Sequence, residues 1–499
     1  MAPDLTDDYR EDDRSDHPRH DRADDEPARQ LEGEFALFRF GRFGLFDGHA
    51  ASNLAPWAVA VASAAGALGL ALYLATRTYQ VDIDVYRMGG RHFLSGDLYS
   101  VHFGSLFFTY TPFAALAFAL PSVLFAISTI QRIWAVTNVV ALATLLYLSV
   151  RALVNGVDHK VLLRYSLLLL LPAIVLDPVF VNVGLGQINL VLCVLILWDL
   201  TTERRVGSRT VPQGMATGIA AAIKLTPLIF VAYMLVTKRL KGALRGAATF
   251  VAAEALAFVV SPGSSRLYWT KYVLDSKRAG ALLYVSDQNL SSALQRFAHR
   301  PVPGAVLVPL LVVIAVSGLS LAAWAHFRSS PMLGILVCAA TGLVVSPITW
   351  VHHMVWIVPA LLWLLLGADR PRKGTAVAAV TAALFVVAPI WWVPTSWKPS
   401  VAPAGPPELH EDAWQLVAGN SFFLATVVFL GGIAFMLFLR SRAKRRRLRE
   451  LEDDRWAASR HSFGFGIAVS SREVPALSSS GGPRVVTRAR DASQIQSAI

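Results

Sequence analysis

Twelve apolar stretches set the limits on what this chain can fold into. They fall near 54 to 76, 108 to 127, 130 to 150, 163 to 180, 187 to 202, 214 to 237, 243 to 262, 304 to 327, 331 to 346, 353 to 368, 374 to 393 and 418 to 440. About 20 apolar residues cross a bilayer as a helix, and lipid leaves a non-barrel backbone no other way to satisfy its polar groups. With 54% hydrophobic and 16% charged residues and a mean hydropathy of +0.48, a water-soluble globule is excluded. The expected fold is an all-α polytopic membrane protein with about ten to thirteen transmembrane helices.

Charge orients the spans. The net charge is +12, and its densest cluster, RSRAKRRRLRE at 440–450, abuts the last apolar run. That position fits cytoplasmic retention better than nucleic-acid binding. The basic loops at 203–209, 238–245 and 369–373 join it on the cytoplasmic side, so 178–187, 262–303, 346–353, 394–417 and Val81–Gly90 are expected outside. Three runs separate Asp82 from Gln187, although two external ends need an even number of crossings. One run must be re-entrant or doubled, and Pro112 and Pro121 point to 108–127. The domain reading is a disordered cytoplasmic leader (1–53), a membrane catalytic domain (54–440) and a basic, then disordered, cytoplasmic tail (441–499). The first run lies too far in, behind a charged leader, to be a cleaved signal peptide. Cys193 and Cys338 sit inside apolar runs and are read as packing residues.

The unusual polar residues gather on the external side. In VDIDVYRMGG, Asp82 follows the first span. An ionised aspartate of ordinary pKa, about 3.9, can take a proton from a hydroxyl attacking a sugar carbon; alone it could equally be an interfacial anchor. On a helix Asp82 shares a face with Tyr86, while Asp84 diverges by about 200°. Tyr110 lies farther along the same loop. GLGQINLVL offers Gln187 and Asn189 to sugar hydroxyls, or as capping and interhelical contacts. Lys224, inside GIAAAIKLTPLIF and followed by Thr226 and Pro227, is expected at the tip of two half-helices, holding phosphate or snorkelling to the interface. SDQNLSSALQR supplies Asp287, Gln288, Asn289 and Arg296, as substrate contacts or as a solvated turn. SPITWVHHMVW brings Trp350, His352 and His353 to a span end, for phosphate or sugar binding or as an aromatic belt. No zinc-like ligand spacing and no phosphate-cradling glycine loop is present, so neither metal nor nucleotide cofactor is expected.

Taken in order over about 75 to 360, VDIDVY, LYS with FTYTPF, GQINL, IKLTP, SDQNLSSALQR and SPITWVHH resemble glycosyltransferase family 87. The resemblance implies the GT-C membrane fold. It also implies a plasma-membrane enzyme that works on the external face. Such an enzyme moves mannose from polyprenyl-phosphate-mannose to a mannosylated lipid, a phosphatidylinositol mannoside, lipomannan or lipoarabinomannan. The link is α-1,2, formed with inversion. On that basis Asp82 is the general base, and Lys224, Arg296 or His352 hold the donor phosphate. Relatives read more like NQS with a following Asn-Gly where this chain has Asp287, Gln288 and Asn289, a departure that bears on acceptor choice. The rival class, a secondary transporter or lipid flippase, would place its polar groups near the midplane and often as inverted repeats. This chain shows neither.

Overall fold

The computed structural model describes residues 54–464, apart from 78–79, 203–204, 207–208, 211 and 396–405. The leader at 1–53, the last part of the tail and the centre of the 394–417 loop therefore lie outside the described residues, as does part of the 203–209 loop. Six helices are long and apolar enough to cross a membrane: Ala55–Arg77, Ile127–Leu153, Leu240–Val260, Gly304–Arg328, Gly374–Trp392 and Ser421–Asp454. Asp177–Leu185 and Asn189–Thr201 form a further, broken pair bent by 118°. Pro112–Leu124, Pro331–Val345 and Val351–Leu366 are apolar but shorter. The chain is a helical multi-pass membrane protein. Valines 306, 308, 312, 313 and 316 point outward from Gly304–Arg328, as a lipid-facing helix requires.

By internal contacts the chain divides into a body ending at Phe438 and a C-terminal unit from Leu439. The C-terminal unit carries the basic cluster on helix in its described part.

Several breaks set the geometry of the body. The run at 214–237 splits into Met215–Ile223 and Leu228–Val236, with Lys224 extended between them (φ −147°, ψ 130°) and Pro227 at the next N-cap. Proline lacks the N–H that a continuous helix needs there. The segment 178–187, expected as a loop, is instead helical through Leu185. Pro178 lies in the first turn of that helix, where its missing N–H costs nothing. The helix closes on Gly186, left-handed at φ +74°. A Cβ at Gly186 would sit 2.4 Å from Ile83, so glycine lets this turn press directly on the helix Val81–His92.

The two glycines of VDIDVYRMGG have the same purpose. A Cβ at Gly89 would meet Phe108 at 2.3 Å, and one at Gly90 would meet the Phe118 carbonyl oxygen at 2.6 Å. Their absence of side chains lets Val81–His92 lie against Pro112–Leu124. There Tyr86 stacks on Phe118 with ring centroids 4.6 Å apart. Thr111 caps that neighbouring helix by accepting from the Ala114 N–H, and Pro112 follows at its first position. The Thr111 hydroxyl donates to the Ala222 carbonyl, tying this cap to the residues just before Lys224.

Candidate active site

These packings converge on a cavity of about 610 Å³, within the usual size of small-molecule sites. Its walls are largely aromatic, with Tyr99, Phe107, Tyr110, Tyr268, Tyr272 and Trp350 among them. Asp82, Gln187, Lys224, His352 and His353 also line it.

Gln187 is the hinge of the arrangement. Its Oε1 accepts from Tyr86 at 3.2 Å, Tyr110 at 3.1 Å and the Asn189 amide at 3.4 Å. The two tyrosine hydroxyls also lie 2.9 Å from each other, and together with Asn189 they turn the Gln187 oxygen towards themselves. Burial raises the Asp82 carboxyl from its ordinary value to about 6, against the lowering pull of the Gln187 bond and the Lys224 charge. The ordinary aspartate pKa expected from sequence is thereby corrected: the carboxylate is more basic and titrates closer to neutrality. Asp84 does not line the cavity; on a helix it points away from the face that Asp82 shares with Tyr86.

Lys224 donates to Asn189 Oδ1 at 2.9 Å and to His353 Nε2 at 2.8 Å. An ammonium has three donors, so one N–H remains for the cavity. With Lys224 donating to Nε2, the His353 ring proton sits on Nδ1. The adjacent His352 is 5% exposed, and both its ring nitrogens are enclosed without a hydrogen-bond partner. An unmet buried donor and acceptor cost free energy, and the residue that carries them lines the cavity. Asn189 also bonds Asn182 at 3.2 Å, which in turn bonds Asn138 at 2.9 Å, anchoring the network in the helices behind.

Six of the thirteen residues expected from sequence are not on the cavity wall: Tyr86 and Asn189 belong to the Gln187 network, and the other four lie elsewhere. Asp287, Gln288, Asn289 and Arg296 do not line the cavity; they form a closed knot behind its wall. Asp287 accepts from the Thr349 N–H at 2.7 Å, Asn289 at 3.0 Å and Ser292 at 3.0 Å. Gln288 donates to the Val285 and Gly419 carbonyls and accepts from the Phe423 N–H. Asn289 is the N-cap of Leu290–Ala298 and accepts from the Ser292 N–H at 2.8 Å. Arg296 is fully enclosed. It donates to Asn420 Oδ1 through Nε and Nη2, and to the carbonyls of Leu283, Tyr284 and Asp287. With those donors spent, no fork is left for a phosphate, which corrects the reading of Arg296 as a donor-phosphate ligand. The knot holds the strand-like segment whose Ser286 and Trp350 face the cavity. Conversely, Arg278 lines the cavity and was not singled out from sequence. The mixed aromatic and basic stretch YWTKYVLDSKRAGALLY is the signal that could have found it.

The model of glycosyltransferase family 87 matches residues 108–347, a span that contains Gln187 and Lys224 but neither Asp82 nor His352. A polyprenol-phosphate-mannose-dependent alpha-(1-2)-phosphatidylinositol mannoside mannosyltransferase of Mycolicibacterium smegmatis is 33% identical over 388 residues, 71% of this chain and 84% of the relative. Its counterpart by name in Mycobacterium tuberculosis is 31% identical over 380 residues, again 71% and 84%. A polyprenol-phosphate-mannose-dependent alpha-(1-2)-phosphatidylinositol pentamannoside mannosyltransferase of Mycobacterium tuberculosis is 30% identical over 331 residues, 66% of this chain and 73% of the relative. No solved structure matches the chain.

Proposed function

The chain belongs to glycosyltransferase family 87, and from that premise we propose that it moves mannose from a polyprenyl-phosphate-mannose donor to a mannose of a phosphatidylinositol mannoside, forming an α-1,2 link with inversion. The observation that carries this reading is the union, in one cavity with many aromatic rings, of the Asp82 carboxylate, Gln187 and a lysine with a donor to spare. In the proposed step Asp82 takes the proton of the acceptor hydroxyl. The acceptor oxygen bonds to the mannosyl C1 from one face as the C1–O bond to phosphate breaks on the other. The electron pair leaves on the polyprenyl phosphate, whose charge goes from one negative to two. Lys224 and His352, both on the cavity wall, would supply a cation and a hydrogen-bond donor to that growing charge, and the aromatic rings would give the sugar faces apolar surfaces to lie on. No nucleotide or metal enters the step. Membership of a glycosyltransferase family displaces the transporter reading.

An external active site is supported by the direction of three helices. Leu240–Val260 begins among Lys238, Lys241 and Arg245 and leads to Tyr268 at the cavity. Ile357–Leu366 starts beside the cavity residue His353 and ends before Arg370, Arg372 and Lys373. Gly374–Val387 starts at those cations and returns to Trp391 on the cavity wall. With those basic ends in the cytoplasm the cavity would open on the other side, which supports an active site on the external face of the plasma membrane. The broken pair and the three shorter apolar helices, added to the six long ones, would bring the crossings to ten, the lower end of the expected range.

The test is transfer by purified protein from radiolabelled polyprenyl-phosphomannose to a panel of mannoside lipids. A labelled product whose new bond yields to an α-1,2-mannosidase is expected; no transfer to any member of the panel would sink the reading. For topology, cysteines introduced in 262–303 should react with an impermeant thiol reagent in intact cells, and cysteines in 369–373 should not.

A further inference from the structure

Arg278 is held unlike any cation of the Asp82 network. Its guanidinium carbon lies 4.2 Å from the Phe107 ring centroid and 4.0 Å from that of Tyr272, so the planar group is clamped between two aromatic faces. One ring comes from the hairpin His102–Phe103 and Leu106–Phe107, the other from the π-helical turn Tyr268–Tyr272, and Arg278 itself from the turn Ser276–Ala279. Nη2 donates to the Tyr99 carbonyl, whereas Nε is enclosed with no hydrogen-bond partner. Among the described residues no carboxylate forms an ion pair with it, and it has no hydrogen bond to Asp82, Gln187 or Lys224. A guanidinium lying flat between rings loses little further freedom on binding. Nη1 has no hydrogen-bond partner among the described residues and is not enclosed, so the Nη1–Nη2 edge is the one that can meet phosphate in a bidentate manner. If the two rings served only to bury a structural arginine, its donors should be spent on the protein, as those of Arg296 are.

We propose that Arg278 is a second phosphate-binding residue of the cavity, holding a lipid phosphate at a place separate from Lys224 and His352. The inference rests on the transfer reading given above, which brings two phosphates to the protein: the donor's sugar phosphate and the phosphodiester of the acceptor's phosphatidylinositol. Either has the chemistry Arg278 would recognise, and the test separates them. The Arg278→Gln and Arg278→Lys proteins are compared with wild type for the KM of donor and of acceptor, for kcat, and for thermal unfolding. Unfolding is followed with and without a polyprenyl monophosphate, or phosphatidylinositol, in detergent micelles. Arg278→Gln should raise one KM about ten- to a hundredfold with kcat little changed, the size expected for a lost charge-assisted contact. Arg278→Lys should recover part of it, since charge remains without the fork. A rise in donor KM with weaker protection by the monophosphate assigns the donor; a rise in acceptor KM with weaker protection by phosphatidylinositol assigns the acceptor. Unchanged KM values and unchanged protection would overturn the proposal, as would loss of kcat and thermal stability in both variants at constant KM, the mark of a clamp that only fastens the hairpin. Absence of transfer by wild type would strike the transfer reading instead, and the lipid-protection measurements would still decide the role of Arg278.

Discussion

The cavity network around Asp82 and the knot around Asp287 are built from the same kinds of residue, carboxylate, amide and cation, yet they differ in what is left over. In the knot, the Asp287 carboxylate, the Asn289 amide and the Arg296 fork are taken up by neighbours. At the cavity, Lys224 keeps a donor and both nitrogens of His352 have no partner. Polar density in a sequence therefore does not separate a reactive site from a fastening. What separates them is whether the hydrogen-bonding capacity is exhausted, because only an unspent group can bind a substrate.

The sharpest way to break the comparison is Asp82→Asn. Turnover should fall by about 10² to 10⁴, the usual value of general-base catalysis, with thermal stability and donor binding nearly intact. A mutant that unfolded instead would move Asp82 to the structural side. The opposite signature is expected of Arg296→Ala, which strips Asn420 and three carbonyls of their donor and leaves the buried Asp287 carboxylate without its cation. It should cost about 3 kcal/mol of stability, seen as a lower Tm and less folded protein, while the folded fraction keeps its KM values. Lys224→Ala should raise the donor KM about ten- to a hundredfold, and Lys224→Arg should retain part of the affinity; unchanged donor KM would leave Lys224 a structural tie between Asn189 and His353.

Smaller effects sharpen the electrostatics. Asp82 must be ionised to act as a base, and burial lifts its pKa to about 6 while Gln187 pulls it down. The acid limb of kcat/KM should thus climb with pH through about 6. Gln187→Leu removes one lowering influence, so its acid limb should move to higher pH; a limb that stayed in place would mean that another group sets it. Asp287 provides a contrast in stability. Burial raises its folded-state pKa to about 7, above the unfolded value, so the folded protein binds that proton more tightly. Its contribution is most favourable at low pH and is lost as pH rises towards 7. Least affected should be Asp84→Asn, with less than about a tenfold change in turnover, because Asp84 lies off the cavity.

Much of the site was legible one residue at a time. The Thr111 and Pro112 start signal, the break at Lys224 to Pro227 and the glycine at 186 are local statements. They follow from a capping hydroxyl, a missing N–H and a helix end that turns left-handed. The resemblance to a family singled out Asp82, which the 108–347 match does not reach. The SDQN triplet misled because nothing in its spacing distinguishes an N-cap and a buried carboxylate from a sugar-binding loop. Arg278 escaped because an arginine in a basic and aromatic loop is unremarkable until two rings close on it.

By itself the sequence determined that this chain crosses a membrane as helices, and where several of those helices start and break, since apolar length, proline and capping residues act within a few positions of themselves. Only the tertiary structure decided which polar groups are spent. Gln187 is aimed by Tyr86, 101 residues away, and Arg296 is consumed by Asn420, 124 residues away. Hydrogen-bond saturation depends on partners brought together by packing, and no local pattern records it.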